Sequence, residues 1–261
     1  MPDAFGLSVA MADILGDRLR TDIRRYPLEI PYIGRTEDER AQVTQAGLRG
    51  MEADGLAYRG RPDADVEAAI QTLGRSTVAA AMVLSLDRGN QLIRARVAAN
   101  GGTAILVLQH ENMLHFKFIR PTGLVPALMN LVPNCPPLAA RSVTFPRTDA
   151  RQPQSRSDDD DGDSVLRAVM PRNTGGAMER QSAARMLALP RERAGSVLVF
   201  GYDRNGREHQ AGMLAWADTP EGRFMSAEKH GSDGVTWETH SPADNQRVGH
   251  HIFQLLAAVN R

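Results

Sequence analysis

The 261-residue chain is predicted to be an α+β protein made of two similar halves. Each half is a four-stranded antiparallel β-meander closed by a helix; the halves are related by a pseudo-twofold axis and flanked by further helices. Three observations predict this. Hydrophobic spacing changes from helical to strand-like near residue 77, and four strand-length segments follow at hairpin spacing. The same order, four strands then a helix, returns after residue 195. Strands that pair with their sequence neighbours need no helical crossovers, which argues against a Rossmann arrangement. Two stretches align between the halves: Leu86-Asp87-Arg88 with Tyr202-Asp203-Arg204, and Ile119-Arg120-Pro121 with His240-Ser241-Pro242. Duplication explains both; convergent meanders are the alternative.

In chain order, Ser8 can cap a helix to about Thr21, with Met11, Ile14, Leu15 and Leu19 on one side. Tyr26–Ile33, with prolines at 27 and 31, reads as an edge or connecting segment. Thr36 and Glu39 have capping-box spacing for a second helix, and Glu37 and Asp38 suit its positive end. That helix ends near Asp54-Gly55. A third follows Asp63, with Val66, Ala69, Ile70 and Leu73 on one face and Gly74 as its stop. The first meander comprises Val78–Leu86, Gln91–Ala98, Thr103–Gln109 and Met113–Ile119, joined by turns at Asp87–Asn90, Asn100-Gly101-Gly102 and Glu111-Asn112. A short helix, about Val125–Val132, closes it.

Pro146–Asp163, with the run Asp158–Asp161, buries little apolar surface and reads as an acidic flexible linker. Helical stretches are expected at Ser164–Met170 and Gly176–Leu189. The second meander is Ser196–Tyr202, Arg207–Ala217, Arg223–Glu228 and Val235–His240, with turns at Asp203–Gly206 and Asp218–Gly222. Ser241-Pro242-Ala243-Asp244 has the pattern of an N-cap, a first-turn proline and a capping-box acid. Val248, Ile252, Leu255, Leu256 and Val259 then trace one helical face. The organisation is therefore an N-terminal half (1–145), a linker (146–163) and a C-terminal half (164–261), expected to form one compact domain.

Composition excludes several function classes. Thirty-one basic and 31 acidic residues balance, without the basic excess of a nucleic-acid binder. All basic residues but Lys117 and Lys229 are arginine, which a GC-rich genome accounts for. Cys135 is the only cysteine, so no internal disulfide forms, in keeping with a reducing compartment. The first residues lack a basic stretch followed by an apolar one, and the longest apolar run is far short of the ~20 residues that span a bilayer. A soluble, cytoplasmic protein with no membrane partner is expected.

Catalytic motifs fail on spacing. No GxGxxG, GxxxxGK[ST] or GxSxG occurs. Asn173–Gly176 before a helix could hold an anion but lacks the phosphate-loop lysine. His110 and His115 are i, i+5 across a turn and cannot share a zinc ion as in HExxH. The Asp158–Asp161 run has Ser157 and Ala168 where a calcium loop needs ligands. His250 and His251 are adjacent on a helix and diverge, and Cys135 has no evident base. No catalytic, metal or cofactor site is expected. An enzyme assembled in space would draw on Asp218, Thr219 or a histidine; otherwise Asp218-Thr219 simply makes a turn.

Three stretches resemble the EspG family of type VII (ESX) secretion. The first is Thr36–Arg40 through Met51–Leu56 to Ala64–Leu73. The second is Phe118-Ile119-Arg120-Pro121 with Leu131-Val132-Pro133. The third runs from Ala215-Trp216-Ala217-Asp218-Thr219-Pro220-Glu221-Gly222-Arg223-Phe224 to Gly231–Trp237 and Ser241–Asp244, and its Asp-Thr-x-x-Gly-Arg turn is the most specific. The resemblance covers about residues 5–259 and implies a cytosolic chaperone that binds the helical tip of the PPE protein in a PE–PPE heterodimer, shields it and selects the ESX system. In the family the contact surface involves the central sheet, a strand-connecting loop and the C-terminal helices. Carried onto this sequence, the resemblance implies contacts at Asn100, Gly101, Gly102 and Thr103, at Met213, Trp216 and Phe224, and at Gln246, Gly249 and Phe253. The Asn100–Thr103 loop is short and glycine-containing, a departure where longer loops are typical. Because aromatics usually bury, Met213, Trp216 and Phe224 have a core role as their alternative. A small-molecule or peptide-binding regulatory module is the competing function, and weak homo-oligomerisation stays open.

Overall fold

The computed structural model describes residues 4–147, 176–203, 206–231 and 234–259. β1 (Ala4–Ser8) runs straight into α1 (Val9–Arg18), because Ser8 ends the strand and caps the helix, its hydroxyl accepting from the Met11 N–H at 3.1 Å. The connector 19–35 holds neither helix nor strand. It is tied down by the buried Asp13 carboxylate, which accepts from the Ile33 N–H (3.0 Å), from Arg40 (2.9 Å) and from Arg24. The bond to Asp13 raises the Arg40 pKa above its ordinary value. α2 (Glu37–Ala53) starts at Thr36 as its capping-box spacing predicts, but Glu39 returns its bond to the Arg35 N–H, one residue early. The tiny hairpin β2 (Ala57–Tyr58) and β3 (Arg61–Pro62) leads to α3 (Ala64–Gly74), capped by Asp63. Gly74 is a glycine for another reason than a left-handed stop: a Cβ there would collide with Thr21 and lie 2.5 Å from the Asp22 carbonyl oxygen.

The remaining elements are β4 (Val78–Leu86), β5 (Gln91–Asn100), β6 (Thr103–His110), β7 (Met113–Ile119), α4 (Leu124–Met129), β8 (Val143–Pro146), α5 (Ala177–Leu187), β9 (Arg193–Tyr202), β10 (Glu208–Thr219), β11 (Gly222–His230), β12 (Thr236–Pro242) and α6 (Asn245–Val259). One antiparallel sheet takes the order β1-β7-β6-β5-β4-β9-β10-β11-β12-β8. Both predicted meanders are present, and each gains an outer strand, β1 or β8. Pro146, expected to open the linker, instead ends β8 opposite Trp237. The predicted helix 164–170, the acidic run and Asn173–Gly175 lie outside the described residues.

The sheet is covered on both faces. α1, α2 and α3 bury one face of the first half with Ala81, Ile105, Val107 and Phe116. α5 covers the same face of the second half with Ala217 and Phe224. α4 and α6 cover the opposite face, on a core that crosses both halves through Met82, Val97, Val197, Leu214 and Trp216.

The halves are related as duplication predicts, but the residue matches shift. The tips of the equivalent hairpins are the pairs Asn100↔Thr103 and Thr219↔Gly222. Stepping along the ladders from there makes Ala99·Ala104 equivalent to Asp218·Arg223, and Ile119 equivalent to Ala243. Leu124, Leu128 and Val132 then correspond to Val248, Ile252 and Leu256, all buried on the α4–α6 face. The alignments of Ile119 with His240 and Leu86 with Tyr202 do not hold. Turn motifs repeat independently of the strands, whereas pairing and face decide equivalence, and β10 also carries a bulge between Gln210 and Gly212. The start of α6 differs for the same reason. Ser241 and Pro242 stay in β12 because Pro242 pairs with Phe224, and the cap falls to Asp244, whose Oδ1 accepts from the Arg247 N–H at 2.8 Å.

Candidate functional site

A groove of about 1040 Å³ opens on the α4–α6 face. One wall is α6, with Gln246, Gly249 and Phe253; the others are Val125 and Pro126 of α4 and the stretch from Pro137 to Ser142. α6 builds it through its periodicity. Val248, Ile252 and Leu256 point into the core, and Phe253 falls off that stripe and is 60% exposed. Gly249 lets α4 approach: a Cβ there would meet the Met129 Cγ at 3.2 Å. The lining is largely apolar, with Asp244, Arg247 and His250 at its polar margin. On the same helix, burial holds the half-buried His251 below its ordinary pKa, with His250 and Arg247 adding to the effect.

Beneath the groove lies a buried ionic cluster. Arg223 is wholly buried and Asp218 is 1% exposed. The guanidinium engages both carboxylate oxygens, Nε to Oδ1 at 2.5 Å and Nη2 to Oδ2 at 3.0 Å. Nη2 also donates to the Pro133 carbonyl at 2.8 Å, and Nη1 donates to the Asn245 Oδ1. Asn245 in turn donates from Nδ2 to the Val132 carbonyl at 2.9 Å. Arg193 lies in ionic contact with Asp218, its Nε 2.9 Å from Oδ2. The Arg223 backbone completes the set. Its N–H donates to the Pro136 carbonyl, and its carbonyl accepts from the Leu138 and Ala243 N–H groups. Gly222 has φ +127, and a Cβ there would lie 2.8 Å from Leu138 backbone, so the turn before Arg223 requires glycine twice over.

Of the predicted contact residues, Gln246, Gly249 and Phe253 all line this groove. Trp216 and Phe224 are corrected: they are 3% and 2% exposed, in the cores of opposite faces. Helices cover both faces of their strands, so large apolar side chains on either side bury. Met213 is 38% exposed, but it pairs with Leu198 on the face opposite the groove. Asn100, Gly101, Gly102 and Thr103 form the β5–β6 hairpin tip, where the Asn100 amide donates to the Arg75 carbonyl at 2.9 Å, and they do not line the groove. The structure therefore gathers one of the three predicted segments into the site. The residues that sequence reasoning missed as supports are Arg223, Asp218 and Asn245; their available signal was the Asp-Thr-x-x-Gly-Arg turn.

Asp218 has both oxygens engaged by arginines, and the turn hydrogen bonds come from Thr219, whose Oγ1 donates to the Gly222 carbonyl at 2.8 Å and accepts from the Glu221 N–H at 3.2 Å. Burial raises the Cys135 thiol pKa, which disfavours the thiolate. Among the described residues, no three His, Cys, Asp or Glu side chains are grouped to hold a metal ion, and no helix is long and apolar enough to cross a membrane.

The profile of the EspG family matches residues 8–254. No curated protein matches the chain. Among solved structures, the chain is similar to the Mycobacterium tuberculosis type VII secretion system chaperone EspG5, determined in complex with the PE25–PPE41 dimer. The TM-score is 0.63 at 14% identity, covering 98% of this chain and 96% of that chain. At that identity the likeness is one of fold.

Proposed function

The chain belongs to the EspG family, and we propose on that premise that it is a type VII secretion chaperone that captures a PE–PPE heterodimer through the helical tip of the PPE protein. It acts by binding and not by catalysis, in the cytoplasm, where an export substrate must be held before secretion. The observation that carries this reading is the family match through residue 254, which takes in most of α6 and every residue lining its groove. The groove suits the task. An exposed Phe253 beside an apolar trough with a polar margin is the anatomy of a docking surface, in which one or two aromatic anchors supply most of the affinity.

The test is co-expression with the PE–PPE pairs of its own genome, followed by affinity capture and size exclusion. A stable complex with one or a few pairs, lost when the PPE tip is mutated, supports the reading. Failure with every properly folded pair sinks it, and stabilisation of the free protein by a metabolite would then favour a small-molecule-binding role.

A further inference from the structure

We propose that the buried Asp218 and Arg223 and the half-buried Asn245 are positioning residues: outside the groove lining, they set the separation of its walls and so control partner capture. The inference rests on the chaperone reading above. Arg223 and Asn245 together bond to Val132, Pro133, Pro136 and Leu138, the segment between α4 and the groove wall, while Asn245 is the first residue of α6 and Arg223 also receives the Ala243 N–H. The Arg223 side chain thus ties Pro133 to the first residue of α6, while its backbone holds Pro136, Leu138 and Ala243. Neither Asp218, Arg223 nor Asn245 lines the groove.

Two arguments separate positioning from plain stabilisation. Desolvation offsets most of what a buried ion pair gains, so apolar residues of similar volume commonly serve stability as well or better. The first half of this molecule shows that solution. At the positions equivalent to Asp218·Arg223 it has Ala99·Ala104, both buried, and its hairpin folds without an ion pair. The charged pair occurs in the half whose closing helix, α6, carries the exposed Phe253. Its donors also differ from packing in kind: a guanidinium fork and an amide reach five separate acceptor atoms in fixed directions, which apolar contact cannot specify.

The experiment compares Arg223→Ala, the paired replacement Asp218→Leu with Arg223→Met, and Asn245→Ala. Three quantities are read: melting temperature, amide hydrogen exchange in free protein, and Kd for the captured PE–PPE pair. Arg223→Ala leaves Asp218 facing only Arg193, and its melting temperature should fall. The paired variant should recover most of that loss. In both the paired variant and Asn245→Ala, exchange at residues 132–138 and 244–250 should accelerate, and Kd should rise by at least about tenfold. Exchange and Kd unchanged in Asn245→Ala, at wild-type melting temperature, would overturn the proposal even if the paired variant failed to fold. Exchange is measured without partner, so wild-type protein that captures nothing sinks the chaperone reading alone, and unchanged exchange sinks the positioning role alone.

Discussion

Phe253 and Trp216 are both large aromatics of the second half, and their surroundings give them opposite roles. Phe253 stands 60% exposed at the groove, and Trp216 packs at 3% exposure between strands and α6. Phe253→Ala should therefore weaken partner capture by about tenfold or more and leave the melting temperature nearly unchanged. Trp216→Ala should cost roughly 3–5 kcal/mol in a denaturant titration. An unstable Phe253→Ala protein would return that ring to the core. A second residue-scale expectation concerns His251, whose burial lowers its pKa below the ordinary ~6.5. As pH falls through ~6.5 the unfolded chain takes up the proton first, so the native state loses stability on the acid side. Urea titrations at several pH values between about 7.5 and 5 should show that decline. His251→Gln should have a shallower decline, and an identical slope in the variant would assign the effect elsewhere.

At the scale of elements, the site depends on where α6 begins. Asp244 accepts from the Arg247 N–H, satisfying a donor at the end that faces the groove. Asp244→Ala should cost about 1 kcal/mol, with Asp244→Asn recovering most of it, as measured by thermal unfolding. Equal losses in both variants would mean that the carboxylate charge and not the capping bond matters. The start itself was displaced in the sequence, because Ser241-Pro242 looks like a cap until Pro242 is seen to pair with Phe224. The elements that announce themselves locally were legible: the caps at Ser8 and Thr36, the start of α3 after Asp63, and the strands between turn residues. β1 and β8 were not, since strands of five and four residues owe their existence to remote partners, β7 and β12. The α6 side of the groove was reached through the family resemblance, which implied Gln246, Gly249 and Phe253, while periodicity supplied only the buried stripe Val248, Ile252 and Leu256. The wall Pro137–Ser142 was not, because it has no periodicity and is placed by Arg223 from far along the chain.

The whole molecule turns on the seam between β4 and β9. Eight residue pairs, from Val78↔Gly201 to Ser85↔Ala194, join the halves across the middle of the sheet. The seam is not merely backbone. Ala80 and Met82 of β4 share one core with Val197, Val199 and Leu214 of the second half, and α6 packs on β4 as well as on β9 and β10. Arg96 of β5 reaches across on the other face, donating to the Tyr202 hydroxyl at 2.9 Å and to Glu208 at 3.1 Å; burial raises the Tyr202 pKa, so that hydroxyl keeps its proton, which it donates to Glu208 at 2.8 Å. A chain so joined has no low-cost place to part, because separating the halves would expose central strands and apolar core together. A protease site engineered between residues 147 and 176 should therefore yield two fragments that elute as one particle and unfold in a single transition. Fragments that separate in native buffer, or two resolved transitions, would mean that each half folds by itself and that the groove, whose α4 and α6 walls come from different halves, is an interface able to open.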